Sequence, residues 1–377
     1  MGAPPTTVMP GATPPTAPTT PTTHPGTAPP HHGNGAPTGD DGKSLHQKGR
    51  NKIPWSKEVW KRIDDAVEME MKRTRIGARF LPKRPVPPKT TSVPSDAYST
   101  NTPDGGTPVL YVDEGATVRL NEYYVEFELT PQQVDQEEGD FKQLGHSTAV
   151  TLATKAANTL AQAEDLIIFQ GQNAMSTTAG VGASLFTNDY VLTLNSIGPV
   201  DTGLLGFPVN TNSPAAGATN VIQVAELAAG ATAIYGSNTF AEVSAAYAQL
   251  QEVGHYGPYA LVLETIPYAD TYAPVADLAV TADRIKPLVT AGFFGTGTLP
   301  PNPPPAPALP PPGGPAPNPY YGVLVSTGGN TMDLVVGLEP ICAFMQEDTN
   351  GNYRFRVLQR FALRVKDPTA IMILKFV

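Results

Sequence analysis

A single cysteine, Cys342, is all the thiol chemistry this 377-residue chain carries. One cysteine excludes an intrachain disulfide and every cysteine-based zinc or haem motif. Its setting, Pro340-Ile-Cys-Ala-Phe344, is apolar, so it reads as a small core residue and not as a nucleophile. Long hydrophobic runs are also missing, and nothing approaches the ~18 consecutive apolar residues of a membrane-spanning helix. No charged start followed by an apolar run suggests a secretory signal, so the expected location is the cytoplasm. Charged residues are sparse, and the basic ones sparser still: 25 Lys and Arg stand against 34 Asp and Glu, a net charge of −9. That balance argues against nucleic-acid packaging, which needs a basic footprint. No GxGxxG follows a strand, and there is no P-loop, GxSxG or HExxH. The histidines offer no metal site: four lie between residues 24 and 46, and neither His146 nor His255 has a second ligand at metal-binding spacing. The chain is therefore not expected to be an enzyme or to hold a cofactor or metal.

What the chain has in excess is proline and glycine, 41 and 35 residues, concentrated in tracts. Residues 1–52 form a Pro/Thr-rich tail with almost no large apolar side chains, which predicts disorder because there is too little to bury. A second tract, Leu299–Pro319, favours polyproline II geometry and reads as a surface insertion in a folded domain.

Between these tracts the pattern is globular. Val59, Ile63, Val67 and Met71 recur every four residues within Pro54–Arg79, an amphipathic helix whose other face carries Lys57, Lys61, Asp65, Glu68 and Lys72. Residues 80–108 are expected to be a loop. Val109–Val112 and Val118–Leu129, with a turn at Glu114-Gly115, suggest a long hairpin arm. Glu137, Glu138 and Asp140 read as a solvated acidic run in a Gln-rich loop. In Thr148–Phe169, Ala149, Ala153, Ala156, Leu160, Ala163 and Ile167 make the strongest helical stripe of the chain, with Gly171 as its stop. Thr239 and Glu242 have capping-box spacing for another helix. Tyr259–Leu263, Gly322–Ser326, Asp333–Gly337 and Tyr353–Val365 read as strands, the last after an Asn350-Gly351 turn. Ala370–Val377 is apolar enough that it must be buried in a sheet or an interface.

Four segments, in this order, resemble the encapsulin shell family. They are Trp60-Lys-Arg-Ile-Asp64 with Ile76-Gly-Ala-Arg-Phe80, then Glu164-Asp-Leu-Ile-Ile-Phe-Gln-Gly171, then Tyr256-Gly-Pro-Tyr-Ala-Leu-Val-Leu263, and last Phe361-Ala-Leu-Arg-Val-Lys-Asp-Pro-Thr-Ala-Ile-Met-Ile-Leu-Lys-Phe376. The resemblance implies an α+β, HK97-like capsid fold. It places an N-terminal helix at 53–80, an extended arm within 81–130, a peripheral domain at 131–198 and 336–377, and an axial domain at 199–335 with the 299–319 insertion. It implies a self-assembling homo-oligomer, an icosahedral shell of sixty or more copies in the cytoplasm, enclosing a cargo enzyme held by a short targeting peptide. The rival reading is an HK97-fold phage major capsid protein packaging DNA. A membrane partner is not expected.

The resemblance also suggests sites. A cargo-peptide pocket built on the N-terminal helix and the peripheral sheet would use Ile63, Val67, Met71, Phe80 and Val357. A pore at a symmetry axis would be lined near Tyr272, Pro274 and Asp277, with Asp270 contributing charge. Some relatives carry a flavin beside a tryptophan after the arm, but Leu129–Val134 here has no Trp, so no flavin is expected. Gly42-Lys-Ser-Leu45 faintly resembles a cargo tag and is a candidate to occupy the pocket in cis.

Overall fold

In the computed structural model, the described residues are 49–101, 109–144, 147–175, 185–186, 191–193, 202–207, 220–227, 233–274, 280–299 and 320–377. The tag-like 42–45 segment, His146, Asp277 and residues 300–319 lie outside them. A short turn at Arg50–Lys52 opens the described chain, so these three residues are structured where a disordered tail through 52 was expected. Arg50 explains the difference: its guanidinium reaches both carboxylate oxygens of Asp64, at 2.8 and 2.6 Å, and the carbonyl of Cys342.

The helices are α1 (Lys57–Thr74), α2 (Gly77–Phe80), α3 (Pro131–Leu144), α4 (Thr148–Gln170), α5 (Gly236–Glu252), α6 (Thr265–Asp270) and α7 (Thr281–Ile285). The strands are β1 (Lys83–Pro85), β2 (Ser92–Pro94), β3 (Ala97–Asn101), β4 (Val109–Asp113), β5 (Thr117–Arg119), β6 (Asn121–Leu129), β7 (Leu192–Thr193), β8 (Val221–Val224), β9 (Tyr259–Glu264), β10 (Gly292–Thr296), β11 (Tyr320–Ser326), β12 (Met332–Glu347), β13 (Tyr353–Val365) and β14 (Ile371–Phe376). They build two five-stranded sheets, β1-β12-β13-β6-β7 and β10-β9-β11-β14-β8, and two short ribbons, β2-β5 and β3-β4.

The first sheet packs one face under α1 and α4. Val59, Ile63, Val67 and Met71 from α1 join Ala149, Ala153, Ala156 and Leu160 from α4, and Val125, Phe355 and Val357 from the strands, in one core. Its strand β12 tolerates Pro340 because the ladder with β13 is bulged on both sides of Leu338. The second sheet is buried on both faces, as its alternation shows. Ala260 and Val262 of β9, with Ile371 and Ile373 of β14, face the first core. Tyr259, Leu261 and Leu263, with Met372, Leu374 and Phe376, face a second core closed by Val243, Ala246 and Leu250 of α5. The closing strand is central, antiparallel to β11 and parallel to β8. The expected grouping of all of 336–377 with 131–198 therefore does not describe β14, which belongs with the strands of 221–326.

Several elements differ from their sequence reading. The arm is not Val109–Val112 against Val118–Leu129. Instead β4 pairs with β3 (Thr100 opposite Leu110) and β5 with β2 (Val93 opposite Val118), so part of the expected 80–108 loop is strand. A two-stranded ribbon leaves each strand one free edge, where Pro94 costs no ladder bond. The Gln-rich loop is α3, and Glu137 is buried, accepting from the Ala149 backbone at 3.2 Å and from the Ser147 hydroxyl at the start of α4. Helix α5 begins at Gly236, ahead of Thr239, which is fully buried and makes no capping contact. Asp270 from α6 takes over that role, accepting from the backbone N–H groups of Ile234, Tyr235 and Gly236 at 2.6, 2.9 and 2.8 Å. Gly236 has φ +43°, and its tight turn presents those N–H groups.

Candidate functional site

The five residues expected to form a cargo pocket are brought together, but inside the protein. Ile63, Val67 and Val357 are fully buried, Met71 and Phe80 nearly so, and all five belong to one continuous core. In the isolated chain no peptide has access to them. The open surface lies one helical face away. A cavity of about 1080 Å³ runs between the Gly49–Ile53 segment and the start of α1, with Trp55, Trp60, Lys61 and Asp64 among its walls.

The two tryptophans are held firmly. Trp55 donates from its indole nitrogen to the Val134 carbonyl at 2.9 Å and stacks on Phe355 with ring centroids 5.2 Å apart. Trp60 lies 5.0 Å from Trp55, and the Arg50 guanidinium sits 4.4 Å above it. The groove thus joins an aromatic floor to the Arg50–Asp64 ion pair on one rim and the exposed Lys61–Asp65 pair on another. Sequence periodicity finds the buried stripe and misses this wall, although both tryptophans of the chain stand five residues apart across a helix start, which is a readable signal.

The expected pore segment is divided. Tyr272 and Pro274 are exposed just after α6. The Tyr272 hydroxyl meets that of Tyr268 at 3.1 Å, and the Lys286 ammonium lies 5.2 Å from its ring. Asp270 does not face solvent there; it is consumed in capping α5.

The arm has a fixed root and a bare end. At the root Arg364, 2% exposed, forks onto Asp333 at 2.9 and 2.7 Å, donates to the Pro94 carbonyl at 3.1 Å and pairs with Asp96. Lys366 adds a second cation 2.9 Å from Asp333. Burial would raise the Asp333 carboxyl, but the hydrogen bonds from Arg364 and Lys366 outweigh it and hold the group below its usual range. Along β4, from Leu110 opposite Thr100 to Val112 opposite Tyr98, Leu110, Tyr111 and Val112 are 69%, 46% and 42% exposed. Three consecutive exposed apolar side chains on a free-edged strand are a surface that needs a cover.

Glu164 and Asp165 are both buried, each 2% exposed. Asp165 accepts from the backbone N–H groups of Ile76 and Gly77 at 2.9 and 2.8 Å, tying the α1–α2 turn to α4. Gly77 leaves no room for a side chain, because a Cβ there would stand 2.6 Å from Ile168. Burial pushes the Asp165 carboxyl up to about 8, assisted by Glu164 and opposed by the Gly77 hydrogen bond. Burial also raises Glu164, with Arg75 opposing it. The folded state therefore keeps an Asp165 proton between about 4 and about 8 that the unfolded chain has lost. Stability is expected to fall as pH rises through that window, by up to about 1.4 kcal/mol per pH unit per group, and to level off above it. Asp165→Asn should flatten this dependence; equal slopes for the two proteins in denaturant titrations from pH 4.5 to 8 would contradict the assignment.

No group of three metal-ligating side chains occurs among the described residues, and burial pushes the Cys342 thiol up to about 12. His255 donates or accepts at the Thr369 hydroxyl, 2.6 Å away, and burial lowers its pKa.

Residues 46–184 match the family model described as "Encapsulating protein for peroxidase". Over 337 residues the chain is 24% identical to the type 1 encapsulin shell protein EncA of Myxococcus xanthus, covering 87% of this chain and 96% of that protein. The virus-like particle protein of Pyrococcus furiosus superposes with a TM-score of 0.54 at 13% identity, covering 84% of this chain and 99% of that one.

Proposed function

We propose that this chain is an encapsulin-type shell protein with an HK97-like fold, a structural subunit of multi-copy capsid-like particles and not an enzyme, and that its particle encloses a cargo protein in the cytoplasm and captures it through a short terminal peptide. The first sheet with α1 and α4 would be the peripheral domain, and the second sheet with α5 the axial one. Tyr272, Pro274 and Asp277 would line a pore. The observation that carries the capture is the aromatic groove at the start of α1, in the stretch that matches the peroxidase-encapsulating family. The peptide would lie over Ile53, Trp55 and Trp60, with Ile63, Val67, Met71, Phe80 and Val357 as the packed layer behind it. A peroxidase is the first cargo to try. The rival reading, a phage capsid protein packaging DNA, is less favoured, since the family and relative found are encapsulating proteins.

The test is co-purification. Particles are isolated from their native cells, the enclosed protein is identified by mass spectrometry, and its terminal segment is fused to a fluorescent protein. Loading of the fusion should drop about tenfold or more when Lys57→Glu and Lys61→Glu, both on the exposed side of α1, recharge the groove rim. Particles that still form but load the fusion unchanged would place capture elsewhere.

A further inference from the structure

The chain enters its described structure at the edge of the aromatic groove, because Gly49 is one of the groove's wall residues. Gly49 has φ +83° and packs so closely on Phe344 that a Cβ would stand 2.5 Å from the Phe344 carbonyl oxygen, so this entry point is fixed. Beside it, Arg50 is pinned between Asp64 and the Cys342 carbonyl and lies over Trp60. Whatever precedes Gly49 is therefore tethered at the groove. The preceding sequence changes character just there. Residues 10–48 contain one large apolar side chain, Leu45. The charged residues of the first 48 positions are Asp40, Asp41, Lys43 and Lys48, all at the end next to Gly49. Prolines crowd the positions before Pro37, and none stands between Pro37 and Pro54.

The groove suits such a segment. Ile53, Trp55 and Trp60 form an apolar floor, and the rim carries both signs, Lys57 and Lys61 with Asp64 and Asp65. Lys57 is exposed and has no ion-pair partner among the described residues. A second concavity, of about 640 Å³, also reaches Gly49. Its rim is Lys52, Lys89, Arg356 and Arg360 against Glu122 alone, which repels Lys43 and Lys48. We propose that Asp41–Lys48 fold back into the aromatic groove of their own chain, Leu45 on the Ile53–Trp55 floor and Asp41 facing Lys57, and so hold the seat of the cargo peptide. The inference rests on the capture reading and adds to it a built-in competitor. Reach is ample: Leu45 is four residues from Gly49 and Asp41 eight, extended spans of about 14 and 28 Å. A tether this short supplies an effective concentration on the order of 1 mM. A contact within the chain with a dissociation constant of about 0.1 mM then fills the groove about nine-tenths of the time and weakens cargo binding about tenfold. Only a peptide that binds more tightly than the chain's own segment is admitted.

Two readouts on the full-length protein test it. Asp41→Cys together with Lys57→Cys should form a disulfide within one chain on mild oxidation, found as a linked peptide pair in a band of monomer mass. The chain's own Cys342 is fully buried and gives little background, and this readout needs no cargo. In the second, Leu45→Ser should tighten loading of the fluorescent cargo fusion about tenfold, while Leu45→Met, which keeps the apolar contact, should load like wild type. The proposal is overturned if the pair does not cross-link, if the link joins two chains, or if Asp41→Cys links as readily to Lys89→Cys in the second concavity. It is also overturned if Leu45→Ser loads like wild type while the Lys57→Glu, Lys61→Glu variant loses loading, which leaves the capture reading standing. A link within the chain, in particles that load no fusion even with Leu45→Ser, would uphold the seat of the segment and sink the capture reading.

Discussion

Arg364→Ala is expected to cost about 3–5 kcal/mol of subunit stability, the range for removing one partner of a buried ion pair. Arg364 forks both oxygens of Asp333 and, through its other terminal nitrogen, holds Pro94 and Asp96 at the base of the arm. Its loss leaves Asp333, 4% exposed, with Lys366 as its remaining cation. Asp96 then loses the cation that ties the β2–β3 junction to β13. Lys at 364 cannot replace the fork, since a single ammonium satisfies one direction at a time. Arg364→Lys should therefore recover only part of the loss. Two readouts separate stability from arm position. The denaturation midpoint reports the first, and protease cleavage between residues 94 and 119 reports the second. A midpoint within about 0.5 kcal/mol of wild type, the range of an ordinary surface substitution, would show that the cluster is not a structural anchor.

Phe355→Ala should have a comparable effect, about 3–5 kcal/mol, by opening a cavity at the seam between α1 and the first sheet. Phe355 is fully buried among four rings: Trp55, Phe127 and Phe344 at centroid distances of 5.2, 5.4 and 5.5 Å, and Trp60 at 6.2 Å. Removing it takes away transfer free energy, the packing of all four neighbours and the stack that positions Trp55. Phe355→Leu keeps most of the volume and should lose much less, near 1.5 kcal/mol. The chain's two tryptophans both sit in this cluster, so selectively excited tryptophan emission reports on this seam. Emission of Phe355→Ala should shift to the red and that of Phe355→Leu should stay near wild type. An unshifted spectrum in a destabilised Ala variant would mean the seam closes over the gap and the cargo groove survives.

These two positions mark where sequence reading succeeds and where it stops. Repeating patterns within one element are visible locally. The four-residue spacing of Val59 to Met71, the alanine stripe of α4 and the apolar β14 were all legible, because periodicity is a property of consecutive residues. Pairings across long separations were not. Arg364 meets Asp96 across 268 positions and Tyr353 pairs with Leu129 across more than 200, and no local pattern encodes either contact. The same reason hid the arm's true partner strand and the capping of α5 by Asp270, which a local Thr239–Glu242 spacing had suggested differently. Polarity misled in the other direction at Glu137, read as part of a solvated run and found buried. Carboxylates read as solvated until the backbone N–H groups that hold them are seen. The candidate pocket shows a further limit. A helix stripe such as Ile63, Val67 and Met71 announces that it will be covered, but not whether its cover is the chain's own sheet or a visiting peptide. Here the sheet covers it, and the accessible aromatic wall is one face away.

Electron microscopy of the purified full-length protein, expressed alone, decides whether this chain is a shell subunit. Closed hollow particles of uniform size are expected. A preparation that stays monomeric or dimeric at every protein concentration, with the fold intact by circular dichroism, would contradict it.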